Sequence, residues 1–77
     1  MDQTRKEFST QDIVLAASLR VKGYPLDRIE KVGNKGTFYF KDVEETVLID
    51  YDLGKMLVEP VAFNNAIKAL TTATRRQ

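Results

Sequence analysis

Cations and aromatic rings are concentrated in one stretch of this chain, and together they could contact a nucleic acid. The segment "GNKGTFYFKD" covers residues 33 to 42 and follows "DRIEKV" at residues 27 to 32. Lysine and arginine side chains bind phosphates, and an exposed aromatic ring can stack on a base. The candidate nucleic-acid-binding residues are the cations of this stretch, one tyrosine between them and two arginines near the C-terminus: Arg28, Lys31, Lys35, Lys41, Tyr39, Arg75 and Arg76.

The same stretch has a simpler interpretation as a β-hairpin with a solvated face. Three acids, Asp27, Glu30 and Asp42, are interleaved with the cations, and a formal net charge of +1 gives no general attraction to polyanions. Phe38 and Phe40 fall on one face of a strand, and a domain of this size needs both rings for its core. Nucleic-acid binding is therefore the alternative hypothesis for function.

Acidic side chains dominate the following stretch. Six acids and one lysine occur between residues 42 and 59. These carboxylates lack the loop spacing that holds a hard cation, so we predict no metal site. A solvated acidic surface that faces a protein partner explains them better. The candidate protein-binding residues combine this acidic segment with the exposed side of the hairpin: Tyr39, Lys41, Glu44, Glu45 and Asp52.

The composition argues against catalysis. The chain contains no histidine and no cysteine, so the commonest general base and the thiol nucleophile are both missing. It also contains no phosphate-binding loop, dinucleotide fingerprint or nucleophile elbow. We therefore predict no enzymatic activity, no cofactor and no small-molecule substrate. The N-terminal residues lack the apolar run of a signal peptide, and no apolar run is long enough to span a membrane, so we expect a cytoplasmic protein without membrane contacts.

The first predicted element is a helix. Ser9 stands as its N-cap, Asp12 completes a capping box, and Phe8 and Ile13 have the spacing of a hydrophobic staple. The helix is expected to end at Gly23, because glycine adopts the left-handed conformation of a helix terminus without strain. Its apolar residues cover more than half of the circumference. This helix is therefore expected either to lie centrally in the fold or to contact a second copy or another protein.

The remaining elements alternate between sheet and helix. Residues 26–32 and 36–41 predict a hairpin closed by the loop "GNKG". Residues 42–54 predict a helix with Asp42 as N-cap and Gly54 as terminator, although β-branched residues leave a strand over 45–50 as the alternative. Residues 55–59 predict a short edge strand, and Pro60 is expected to open an amphipathic C-terminal helix.

The predicted fold is a small α+β domain with the order helix, β-hairpin, helix, short edge strand, C-terminal helix. The alternative is an α-β-β-β-α order. With 77 residues the chain has material for one core. We assign residues 1–7 to a flexible lead-in, 8–74 to the single domain and 75–77 to a basic tail.

Three segments resemble a family of short bacterial and phage proteins that is catalogued as a domain of unknown function. They are "FSTQDIVLAASLRVKG", "GTFYFKD" and "YDLGKMLVEPVAF", and the resemblance extends from about residue 8 to residue 70. The family has no assigned activity, so the resemblance implies no site residues. It implies a phage-linked context, in which short proteins often bind a host or phage macromolecule. The leading hypothesis is thus a non-enzymatic protein-interaction module, an accessory or regulatory protein of a phage or mobile element.

Overall fold

A computed structural model of the chain describes residues 7–76. The fold is α+β, as predicted, but the order of elements differs from the predicted one, because a strand precedes the first helix and the edge strand before the last helix is absent from residues 7–76. The elements are β1 (Glu7–Thr10), α1 (Ile13–Val21), β2 (Leu26–Val32), β3 (Lys35–Lys41), α2 (Glu45–Asp52) and α3 (Pro60–Arg75).

The strands form one antiparallel sheet in the order β1-β3-β2, with β3 at the centre. The predicted hairpin is confirmed, but its loop is shorter than expected. Lys35 already pairs with Val32, so the turn consists of Gly33 and Asn34 alone. Gly33 has a φ of 62°, whereas Asn34 keeps a negative φ. A two-residue turn of this kind matches the twist of the flanking strands, which is why the ladder extends to it.

Strand β1 lies where the sequence predicted the end of a lead-in and the start of a helix. Phe8 pairs with Phe40 of β3 and packs on the core, so residues 7–10 are extended. The predicted N-cap, Ser9, is wrong, because the strand continues to Thr10 and the helix begins only at Ile13. The cap is Asp12, whose Oδ1 accepts hydrogen bonds from the backbone N–H groups of Val14 and Leu15. The rest of the predicted lead-in, residues 1–6, lies outside the described residues.

Helix α1 is the central element of the core. It contacts both β1 and α3 and buries a continuous run of residues, Leu15, Ala16, Ala17, Ser18 and Leu19. These residues pack with Phe38 and Phe40 from the inner face of β3 and with Leu70 from α3. Most of the wide apolar face of α1 is thus covered within one chain, although Val14 stays 45% exposed. The helix ends before Gly23, whose φ of 102° is the left-handed terminus predicted for it.

Helix α2 confirms the helical interpretation of residues 45–52 over the strand alternative. Its predicted N-cap is wrong, because Asp42 has a φ of 59° and the extended cap residue is Glu44. The chain must turn sharply after β3, and Asp42 adopts the left-handed conformation of that turn. An N-cap requires extended backbone, so the cap moves two residues along. Gly54, with a φ of 72°, follows the helix as predicted.

Residues 55–59 do not form the predicted edge strand. Met56 and Val58 line a cavity with Tyr51 and Phe63 on the helical side of the molecule, away from either sheet edge. The chain then enters α3 with Pro60 at its first position, as predicted, and the Glu59 side chain caps the helix. No helix within residues 7–76 is long and apolar enough to cross a membrane.

The Phe40→Ala substitution tests the assignment of the core. Phe40 is fully buried between α1 and the flanking strands, so removing its ring should lower the free energy of unfolding by about 3–5 kcal/mol, as for other buried phenylalanines. Urea unfolding followed by circular dichroism measures this loss. Val32→Ala is the matched control in the same hairpin, because Val32 is 81% exposed, and its change should stay within about 0.5 kcal/mol. Equal losses in the two variants would contradict the described core.

Candidate functional site

The aromatic stretch of β3 divides between the two faces of the sheet. Phe38 and Phe40 point inward and are 3% and 0% exposed, so they are core residues, not base-stacking rings. Tyr39 and Lys41 alternate with them and lie on the outer face of the sheet. The outer face is the surface on which the predicted nucleic-acid site would have to be built.

Arg28 is the centre of an ionic cluster on this outer face. Its Nη1 lies 2.7 Å from Oε2 of Glu7 and 2.9 Å from Oδ2 of Asp27, and its Nε lies 3.2 Å from Oε2 of Glu30. Its guanidinium also lies 4.0 Å from the centroid of the Tyr39 ring. Hydrogen bonds to Glu7 and then to Glu30 raise the pKa of Arg28. Three carboxylates thus compensate one cation, which leaves it poorly suited to bind phosphate.

The other members of this cluster are similarly occupied. The hydroxyl of Tyr39 donates a hydrogen bond of 3.0 Å to Oε1 of Glu30. Hydrogen bonds from Arg28 and then from Tyr39 lower the pKa of Glu30, and the bond to Glu30 raises the pKa of Tyr39. The Nζ atom of Lys41 lies 3.7 Å from Oδ1 of Asp27. Because the guanidinium covers one face of the Tyr39 ring, that face cannot stack on a base.

The remaining predicted cations are divided between surfaces. Lys35 follows the outward alternation of β3, whereas Lys31 lines a cleft on the other side of the hairpin together with Arg75. Arg75 is the last residue of α3 and Arg76 is its C-cap, so both belong to the end of the helix. The cations therefore do not form one continuous surface free of acids, which is the arrangement that the nucleic-acid hypothesis requires.

The predicted protein-binding residues also fall on two surfaces. Tyr39 and Lys41 belong to the outer face of the sheet, while Glu44, Glu45 and Asp52 are exposed at α2. Helix α2 packs on the core through three half-buried side chains, Val47, Leu48 and Tyr51.

The solvent side of α2 is unusual because its centre is apolar. At about 100° per residue, Ile49 and Leu53 lie opposite the packed side chains of the helix. They are 49% and 62% exposed. Glu45 and Asp52 flank them on one side and Asp50 on the other, all exposed. We call these five residues the α2 surface: Glu45, Ile49, Asp50, Asp52 and Leu53.

Sequence reasoning missed Ile49 and Leu53 although a signal for them existed. Val43, Val47 and Tyr51 recur every fourth residue and define the packed side of the helix. Ile49 and Leu53 have the same spacing on the opposite side. A short helix with an apolar pair on both sides cannot bury both in one small domain.

One hydrogen bond fixes α2 against α1. The Tyr51 hydroxyl donates to Oδ2 of Asp12 at 2.7 Å, and the other carboxylate oxygen of Asp12 caps α1. Burial, followed by the hydrogen bond to Asp12, raises the pKa of Tyr51 from 10.0 to about 12. The orientation of the α2 surface therefore depends on the same side chain that starts the central helix.

The described residues give no indication of a metal site. Within residues 7–76, no group of three or more acidic side chains has a geometry that could hold a metal ion.

The raised pKa of Tyr51 predicts how stability changes at high pH. The folded chain holds this proton more tightly than the unfolded chain, so its stabilising effect is complete below pH 10.0 and is lost as the pH rises through about 12. Tyr51→Phe should lower the free energy of unfolding at neutral pH by about 1 kcal/mol. Between pH 10.0 and about 12, the free energy of unfolding of this variant should fall less steeply than that of wild type. Urea unfolding at a series of pH values measures both effects.

Tyr24→Phe is the matched control for this prediction, since Tyr24 also packs against the core. The free energy of unfolding of the Tyr24→Phe variant should decline with pH in parallel with that of wild type. A parallel decline for Tyr51→Phe as well would show that the hydrogen bond to Asp12 does not hold the proton.

Comparisons with known proteins add no relative to this description. No protein-family model, no curated protein and no solved structure matches the chain. The resemblance to a family of short bacterial and phage proteins therefore stays a prediction, and the function has to be argued from the geometry of this chain.

Proposed function

We propose that this chain is a non-enzymatic protein-interaction module that binds its partner through the α2 surface. One observation carries the proposal: Ile49 of α2 and Leu53, the C-cap one turn further along, lie on the solvent side and are 49% and 62% exposed. Single exposed apolar side chains are ordinary on protein surfaces, but an adjacent pair framed by charges is typical of interaction sites.

The energetics favour contact with another molecule at this surface. Fully burying one leucine or isoleucine side chain is worth about 1.5–3 kcal/mol. A large part of that free energy is not realised for Ile49 and Leu53 in the isolated chain. Binding of a partner that covers both side chains would release this burial free energy. Helices that present such pairs commonly serve as anchors in a groove or against another helix.

The charges of the α2 surface define the chemistry of the partner. Glu45, Asp50 and Asp52 surround the apolar pair, and none of them forms an ion pair within residues 7–76. The complementary partner is a protein segment with an apolar centre and flanking lysine or arginine residues. The same carboxylates repel a nucleic acid. They also disfavour a symmetric dimer, because a two-fold axis through this surface would place acids against acids.

The biological setting is proposed on a separate basis. That the chain is an accessory or regulatory protein of a phage or mobile element, acting in the cytoplasm, is supported by the resemblance described above and by the composition. The two predicted residues Tyr39 and Lys41 are not part of the proposed contact, because they lie on the outer face of the sheet and are engaged in its ionic cluster.

Selection from a displayed library of random peptides tests the proposal without knowledge of the partner. Immobilised wild-type protein should enrich peptides in which apolar residues spaced by three or four positions are flanked by lysine or arginine. An enriched peptide should bind Leu53→Ser at least about tenfold more weakly than wild type, measured by isothermal titration calorimetry. Its affinity should fall only modestly with added salt, because apolar burial supplies most of the free energy.

Val32→Ser is the matched control, since it also replaces one exposed apolar residue by serine, on strand β2, which is not part of the α2 surface. It should bind the peptide as wild type does. Enrichment of acidic peptides, or equal affinity of Leu53→Ser and wild type, would refute the α2 surface as the contact. In a parallel experiment, tight binding of a single-stranded oligonucleotide that is lost steeply with salt would favour the nucleic-acid alternative.

A further inference from the structure

A cleft at the hairpin-turn end of the sheet brings together side chains that are far apart in sequence. It has a volume of about 310 Å³, which lies at the lower end of the range for small-molecule sites. Strand β2 contributes Lys31, the hairpin turn contributes Asn34, the segment before α1 contributes Gln11, and the last turns of α3 contribute Thr71 and Arg75.

The charged side chains that line this cleft are cations. Lys31 and Arg75 both line it, and none of the acidic residues that the structure describes does. Neither cation forms an ion pair within residues 7–76, and both are exposed. The C-terminal end of α3 contributes a partial negative charge of about half an elementary charge, which two full positive charges outweigh. The cavity bounded by Tyr24 and Asp42 differs in this respect, since its single lysine, Lys41, faces two carboxylates.

The floor of the cleft is apolar. It is formed by Ile13 and Gly36, and the nearly buried Phe38 also lines the cleft. Gly36 matters because a Cβ atom at this position would lie 3.0 Å from Cγ2 of Thr74, closer than side chains normally approach. The missing side chain lets the last turn of α3 approach β3 closely, and Arg75 from that turn lines the same cleft as Lys31.

We propose that this cleft binds a small organic oxyanion, a phosphate or carboxylate carried on a flat apolar group. Lys31 and Arg75 hold the anionic oxygens, since both are charge-bearing donors that form no ion pair within residues 7–76. The side-chain amides of Asn34 and Gln11 can supply further hydrogen bonds at the rim. The apolar group lies on the half-buried side chain of Ile13. The site is separate from the α2 surface, so it can supply a ligand-dependent role that the sequence, which predicted no small-molecule substrate, did not indicate.

Phenyl phosphate and benzoate are suitable probes, with inorganic phosphate as the anion without an apolar group. Titration of the isotopically labelled protein, followed by two-dimensional amide NMR spectra, should shift the backbone signals of Asn34, Gly36 and Thr74 for the aromatic anions. Inorganic phosphate should bind about tenfold more weakly than phenyl phosphate, because it leaves the floor uncovered.

The double variant Lys31→Gln with Arg75→Gln should lose affinity for phenyl phosphate about tenfold or more. The control is Lys35→Gln with Lys68→Gln. It removes the same charge from the same hairpin and the same helix at exposed positions that do not line the cleft, and it should bind within about twofold of wild type.

Three outcomes would overturn the proposal. The first is an equal loss of affinity in the two double variants, which would indicate diffuse attraction to net charge. The second is equal affinity for phenyl phosphate and inorganic phosphate, which would remove the role of the floor. The third is a single-stranded oligonucleotide that displaces phenyl phosphate with far higher affinity and steep salt dependence, which would make the cleft part of a nucleic-acid surface.

Discussion

The packing of α1 against the inner face of β3 is the contact on which the rest of this structure depends. Phe38 and Phe40 present two rings from the central strand, and α1 covers them with Leu19 and with the small side chains of Ala16 and Ala17. Alanines allow the helix backbone to approach its neighbours closely. The second side of α1 then receives α3 through Leu70, so a single nine-residue helix holds both layers together.

Three surfaces of the domain differ in chemistry: the outer face of the sheet, the α2 surface and the cleft at the hairpin-turn end of the sheet. The outer face of the sheet is covered by a network in which Arg28 meets three carboxylates and one ring. Such exposed ion pairs contribute little stability, but they leave few charges free for a ligand. The α2 surface has the opposite character, because carboxylates that form no ion pair within residues 7–76 surround an apolar pair. The cleft at the hairpin-turn end of the sheet has two cations, unpaired within the described part of the chain, and an apolar floor.

Asp12 connects the core to the surface that we propose binds a partner. One of its oxygens accepts the backbone hydrogen bonds that begin α1, and the other accepts a hydrogen bond from the Tyr51 hydroxyl of α2. The helix that presents Ile49 and Leu53 is therefore held by the same residue that starts the central helix. A short helix such as α2 gains little stability from its own hydrogen bonds, so contacts of this kind determine whether it is formed and how it is oriented.

The sequence by itself determined the local elements whose signals are carried by a few adjacent residues. Gly23 and Gly54 mark helix ends, Pro60 marks a helix start, the alternation around Phe38 and Phe40 marks a core strand, and the four-residue spacing of Val47 and Tyr51 marks a helix. These signals depend on backbone sterics and on periodicity, which neighbouring residues set. The α+β class and the exclusion of thiol and imidazole chemistry follow from the same information.

Only the tertiary structure decided which residues meet. Ser9 had every local feature of an N-cap, yet pairing with β3 keeps its segment extended and moves the cap to Asp12. Arg28 was a candidate phosphate contact until the sheet placed Glu7, 21 residues away, on its guanidinium. Lys31 and Arg75 were separate candidates until Gly36 allowed α3 to close against the hairpin. Pairing across the sheet and packing between helices join residues that are distant along the chain, and no local pattern encodes that distance.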